Sequence, residues 1–245
     1  MAGRLVLAGA LTVLPILCLM GWFARRNARR RVPLALAGTF FLGLLSAIPA
    51  MAVVILASLA SIPSPWGAAA IGAFAVTAVP EELLKLLVIR GYSARRPGLL
   101  KPSDGLVYGI TAALGFGALE NALYALQGGW WTAALRAATA VPMNASTGAL
   151  LGYAVAIARL APDRRSSLVR YVLAAILIHG IYDFALIAAA LTPRMGGVAT
   201  VGRIAFPILA FVALMAAVGW VVHIACSLRR ATPVAPSPTE ASDDS

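Results

Sequence analysis

Glu81, Glu82 and Lys85, then Glu120, then His179 and Asp183 are the residues of this 245-residue chain whose types and spacing could do chemistry. Glu81 and Lys85 stand at i,i+4 on one face of a helix, with Glu82 about a quarter-turn away. His179 and Asp183 repeat that spacing, which lets the carboxylate orient and charge-support the imidazole. Glu120 shares a helix face with Phe116 and has Asn121 beside it. Such groups suit acid–base work: a base that takes a proton from water, a donor for a developing oxyanion, and an acid for a leaving nitrogen. Two adjacent carboxylates in a low dielectric repel, so a site with both is expected to hold one proton and one base between them. The same residue types also build proton relays, so a transport pathway is the rival reading.

The elements that must position these residues are apolar. The chain is 61% hydrophobic and 12% charged, with a mean hydropathy of +0.88, which excludes a water-soluble domain. Apolar runs at about 4–24, 33–60, 67–89, 104–126, 131–159, 171–190 and 204–226 each reach the roughly 20 residues that cross a bilayer core. The expected fold is therefore all-α, a polytopic transmembrane helical bundle of about seven spans. Residues 1–66 would form two N-terminal helices with a basic cytoplasmic loop. Residues 67–190 would form a core of four helices, residues 191–230 a C-terminal helix, and residues 231–245 a disordered cytoplasmic tail rich in Pro, Ser, Thr and Asp.

The net charge of +11 lies in short clusters at span ends. Arg25, Arg26, Arg29, Arg30 and Arg31 follow the first run, and Arg90, Arg95, Arg96 and Lys101 the third. Arg159, Arg164, Arg165 and Arg170 follow the fifth, and Arg229 and Arg230 the seventh. The alternate loops carry only Arg194 and Arg203. The positive-inside rule then puts the N-terminus outside and the C-terminus in the cytoplasm, with Trp66, Trp130 and Trp131 in an outer aromatic belt. No aromatic-interleaved basic surface remains for a nucleic acid. Cys18 and Cys226 stand alone and have no metal or redox spacing.

A charge placed at mid-bilayer costs roughly 2.5–3.5 kcal/mol on insertion scales. The runs nevertheless contain Glu81, Glu82, Lys85, Glu120, Arg136, His179 and Asp183, which must therefore face one another or water. At roughly 1.5 Å per residue, Glu82 and His179 lie at similar depth, while Glu120 and Asn144 come out nearer the outer side. Gly105, Gly109, Gly115 and Gly117 would let neighbouring helices approach closely. Pro80 frees a backbone carbonyl and favours a kink just before Glu81. Arg136 is expected to snorkel to the outer interface; for Lys85, snorkelling to the cytoplasmic one is weighed against pairing with a glutamate.

Glu81-Glu82-Leu83-Leu84-Lys85 resembles the E-E-x-x-K motif of the PrsW family of intramembrane proteases. Phe116-Gly117-Ala118-Leu119-Glu120 resembles its F-x-x-x-E motif, and His179-Gly180-Ile181-Tyr182-Asp183 its H-x-x-x-D motif. The likeness covers about residues 70–190, and the three motifs occur in the family's order. It implies a place in the superfamily of the type II CAAX-prenyl proteases, a glutamate that activates water, and a single-span membrane protein such as an anti-sigma factor as substrate. It further implies a bacterial cytoplasmic membrane as the location. On this resemblance Glu81, Glu82, Glu120, His179 and Asp183 are the expected catalytic residues, with Asn144, Lys85 and Asn121 in support of the substrate or oxyanion.

One position departs from the family. Members of the family it resembles often carry a histidine in the fifth span after a proline, where this chain has Pro142-Met143-Asn144. Asn144 can donate a hydrogen bond but cannot titrate, which keeps a non-catalytic scaffold in view as a third reading. If a metal such as zinc were required, Glu81, Glu82 and His179 would hold it. Zinc sites, however, usually show H-E-x-x-H spacing or two His or Cys ligands, and the other histidine, His223, lies far along in the last span. No cofactor is therefore expected.

Overall fold

In a bilayer every backbone polar group must be satisfied within the chain, and runs of Ala, Leu, Val and Gly do this as helix. The computed structural model describes residues 32–96, 98–192 and 199–230, all without a strand. The expected first span, with Cys18, and the expected tail lie outside the described residues. The helices are α1 (Val32–Ala57), α2 (Pro65–Ile71), α3 (Val79–Gly91), α4 (Pro102–Ala138), α5 (Ala140–Leu160), α6 (Ser166–Leu191) and α7 (Ala199–Arg230). Five of them, α1, α4, α5, α6 and α7, are long and apolar enough to cross a membrane. Their outward faces carry exposed side chains such as Phe41, Leu173 and Phe211.

The expected third span is built in pieces. Ser64 caps α2 by accepting the Gly67 N–H, and Pro65 starts the helix where its missing N–H costs nothing. A π-helical turn, Gly72–Ala78, then joins α2 to α3 without a break. Pro80 falls just after this turn, in the first turn of α3, where its missing N–H costs little. At the start of α4 the Asp104 carboxylate accepts the N–H groups of Leu100 and Lys101, each at 3.0 Å. Asp104 is thus a helix cap.

The expected fifth span, 131–159, is revised. Gly129 adopts φ 72° and breaks the long helix α4, a conformation that glycine reaches without a Cβ penalty. The chain turns there, and a short arm of residues 130–138 lies back beside α4, with Ala133 packed on Ala125. The spanning helix α5 begins only at Ala140.

Small residues set the packing. A Cβ on Gly109 would overlap the Gly148 carbonyl, and one on Gly152 would overlap that of Gly105, so α4 and α5 approach backbone to backbone. Gly115 does the same for α1 against α4, whereas Gly117 lies only in ordinary contact beside Asn144. Val88, Ile89, Ala112, Leu151, Val155 and Ala175 join α3, α4, α5 and α6 in one apolar cluster. Met143, Tyr182, Ala185 and Leu214 attach α7 to α5 and α6.

Candidate active site

The third segment, with its π-helical turn, and α4, α5 and α6 bring the charged residues to one place. Glu81, Glu82, Lys85, Asn144 and His179 are all buried, Lys85 and Glu82 completely. Lys85 therefore does not snorkel. Its Nζ lies 2.9 Å from Glu82 Oε1 and 3.6 Å from Glu81 Oε2, and it donates to Asn144 Oδ1. The ammonium also sits 4.6 Å from the centre of the Phe116 ring, a cation–π contact from the next motif.

Glu82 Oε1 is the hub. Besides Lys85, it accepts the Thr147 hydroxyl at 3.1 Å and lies 2.7 Å from His179 Nδ1. The imidazole is thus oriented chiefly by Glu82. Asp183, given that role from its spacing, stands 3.5 Å from Nε2, on the far nitrogen, in ion-pair contact. Thr147 had not been anticipated, although it lies one helical turn from Asn144 on α5 and also bonds that residue's carbonyl.

Glu81 behaves differently from its neighbour. Its Oε2 has no hydrogen-bond partner, and it stands 3.9 Å from His179 Nε2. Glu81 also forms part of the wall of a cavity of about 540 Å³ between α1, the π-helical turn, α3 and α4. The opposite wall carries Glu120, with Phe116 and Tyr124; Ala47, Met51 and Val54 of α1 supply an apolar side. Glu82, His179 and Asp183 do not line this cavity.

Glu120 is fixed from the returning arm. Arg136 Nη2 lies 2.6 Å from its Oε1, and Arg136 Nε donates to Asn121 Oδ1 at 2.7 Å. The guanidinium stacks over Tyr124 at 3.9 Å. Arg136, expected to snorkel, instead pairs with a carboxylate because Gly129 folds it back. Asn144 Nδ2 reaches Glu120 Oε2 at 3.4 Å, so one amide links Lys85 to Glu120 and closes the depth gap read from the sequence.

The position of His179 depends on Gly180. A Cβ there would enter the ring of Phe74, which reaches across from the π-helical turn. The third segment and α6 can approach closely enough for the Glu82–His179 bond only because this position is bare.

The family model described as PrsW family intramembrane metalloprotease matches residues 32–221. The chain is similar to Protease PrsW of Geobacillus kaustophilus, 33% identical over 72% of this chain and 78% of that protein. It is 32% identical to Protease PrsW of Shouchella clausii over 46% of this chain and 54% of the relative. With Protease PrsW of Bacillus subtilis it shares 28% identity over 72% and 81%. No solved structure matches the chain.

The family's description names a metal, and the residues here do not fit one. Among the described residues no three His, Cys, Asp or Glu side chains form a group that could hold a metal ion. Glu82 Oε1 is already engaged by an ammonium, a hydroxyl and an imidazole. The matched model spans most of the chain, including all three motifs and the charged cluster they build. This integral, multi-pass membrane peptidase belongs to the PrsW family of intramembrane proteases.

Proposed function

We propose that Glu81 is the base that activates water for hydrolysis of a peptide bond in a single-span membrane protein. The observation that carries this reading is Glu81 Oε2, a buried carboxylate oxygen without a hydrogen-bond partner on a residue that lines a cavity. Glu82 Oε2 is likewise without a partner, but Glu82 does not line the cavity and its other oxygen holds Lys85, Thr147 and His179. Glu81 takes a proton from water as the oxygen adds to the carbonyl, then returns it to the amine as the C–N bond breaks. Glu82, Lys85 and His179 are positioning residues that act through Glu81. Glu120, held by Arg136, faces the same cavity and suits an N–H of the substrate backbone.

The substrate class follows from the cavity's walls. They are largely apolar, and two carboxylates stand where an unwound backbone would expose its polar groups. The cavity involves the C-terminal half of α1 and the part of α4 near Gln127, away from the basic loops. With those loops in the cytoplasm of a bacterial cell, cleavage falls in the outer half of the membrane. A membrane-anchored anti-sigma factor has this architecture. No metal takes part in this reading.

Purified protein in detergent, given single-span peptides, tests the proposal. Cleavage by the wild type and none by Glu81→Gln is the expected result. Proteoliposome pH changes without cleavage would replace it with a transport function.

A further inference from the structure

A second cavity, of about 720 Å³, opens at the other end of the bundle. Arg90 from the last turn of α3, Arg95 from the following 3₁₀ turn, Arg159 from the last turn of α5 and Arg165 at the start of α6 all line it. Ala94, Val155, Ala158 and Leu168 supply its apolar surface, and no carboxylate is among its walls. Among the described residues none of these four arginines takes part in an ion pair.

A topology signal alone requires arginines near the cytoplasmic face, spread anywhere around the rim. Here four of them converge from separate segments of the chain on one concavity. Four unneutralised guanidinium groups repel one another, and an anion among them relieves that repulsion. The guanidinium fork matches phosphate oxygens two at a time. The volume falls within the roughly 300–1,000 Å³ of small-ligand sites. Apolar walls beside the charges suit a ligand with a phosphate at one end and hydrocarbon at the other.

We infer that this cavity binds a phosphate group, either that of an anionic phospholipid headgroup or a free phosphate ion. It lies apart from Glu81 and the first cavity, with which it shares no lining residue. The inference therefore stands independently of the proposed catalytic site. The basic pocket would fix the bundle against the charged leaflet and clamp the loop after α3 to the loop between α5 and α6.

The test is thermal melting of delipidated full-length protein in uncharged detergent, titrated with phosphatidylglycerol, phosphatidylcholine or sodium phosphate. Phosphatidylglycerol is expected to raise the melting temperature saturably, and phosphatidylcholine to leave it unchanged. A rise with sodium phosphate alone would also support the site and assign the free ion as its ligand. Arg90→Gln with Arg159→Gln should weaken binding roughly 25-fold, at about fivefold per arginine. Arg229→Gln with Arg230→Gln removes equal charge outside the cavity and should bind as the wild type does. If the first pair melts out before titration, its two single variants replace it, each about fivefold weaker. Equal rises with the two phospholipids, no rise with any of the three additions, or unchanged binding by the cavity variants, would overturn the inference. So would an equal loss in the Arg229 and Arg230 pair.

Discussion

His179 Nδ1 lies 2.7 Å from Glu82 Oε1, a bond between side chains 97 positions apart on α6 and α3. That oxygen also neutralises the fully buried Lys85 at 2.9 Å. Removing the carboxylate's charge leaves an ammonium in low dielectric with a distant second partner, and breaking a buried pair typically costs roughly 3–5 kcal/mol. Glu82→Gln is therefore expected to abolish cleavage and to lower the melting temperature. Glu81→Gln should also lose roughly 10²–10⁴-fold in activity but lower the melting temperature less than Glu82→Gln does, because Glu81 Oε2 makes no hydrogen bond and only the longer ion pairs to Lys85 and His179, at 3.6 and 3.9 Å. His179→Ala should join them, and double variants should be little worse than singles, since the residues act as a unit. A Glu81→Gln, Glu82→Gln protein that is folded and cleaves at the wild-type rate would show the site to be elsewhere.

Asp183 faces the opposite ring nitrogen of His179 at 3.5 Å. Glu82 keeps the imidazole in place without it, so Asp183→Asn should retain partial activity, reduced roughly tenfold against the 10²–10⁴-fold loss of a base. Cleavage rates at saturating and limiting substrate would check this. A loss as deep as that of Glu81→Gln would make Asp183 a participant in the chemistry.

The central cluster was legible in the sequence because burial is costly. Glu81, Glu82, Lys85 and His179 sit in apolar runs where unpaired charge is not tolerated, so their meeting could be inferred before their geometry was known. Which pairs form was not legible. His179 and Asp183 share a helix face, yet the short bond goes to Glu82, because the packing of α6 on α3 is decided by Phe74 and Gly180. Arg136 was misplaced for a different reason. Hydropathy reads 131–159 as one apolar run and cannot see that a left-handed Gly129 turns the chain back at its start. Thr147 carries no charge, so nothing in the composition of α5 singled it out.

The charge alternation predicts that the ends bearing Arg90, Arg159 and Arg229 face the cytoplasm. A C-terminal alkaline phosphatase fusion should therefore be inactive in a bacterial host, and a C-terminal fluorescent protein active. The reverse pattern would place the cavity of Glu81 and Glu120 on the cytoplasmic half and move the expected cleavage position with it.

Cleavage is expected to survive EDTA and phenanthroline. The oxygen that a metal would share with His179 is already bonded to Lys85 and Thr147, and Lys85 also donates to Asn144. An ammonium thus supplies the local positive charge. Loss of activity on chelation, its return with one equivalent of zinc, and bound metal in the pure protein would together show that the cluster rearranges to hold an ion.

Gly180 gives the sharpest test of how the fold positions the chemistry. It does not line the cavity, but a methyl group there would enter the Phe74 ring. Overpacking of this kind typically costs roughly 1–3 kcal/mol and is relieved by backbone shifts. The cheapest shift moves α6 away from the π-helical turn and lengthens the Glu82–His179 bond. Gly180→Ala should therefore lower activity by more than tenfold, since small misplacements of a positioned group can cost about a hundredfold. Phe74→Ala removes the obstructing ring, so Gly180→Ala with Phe74→Ala should recover much of the lost rate even though it adds a second substitution. Cleavage rates and melting temperatures for both singles and the double form a cycle whose coupling term isolates the contact. Strictly additive losses would mean that the Phe74–Gly180 contact does not set the position of His179.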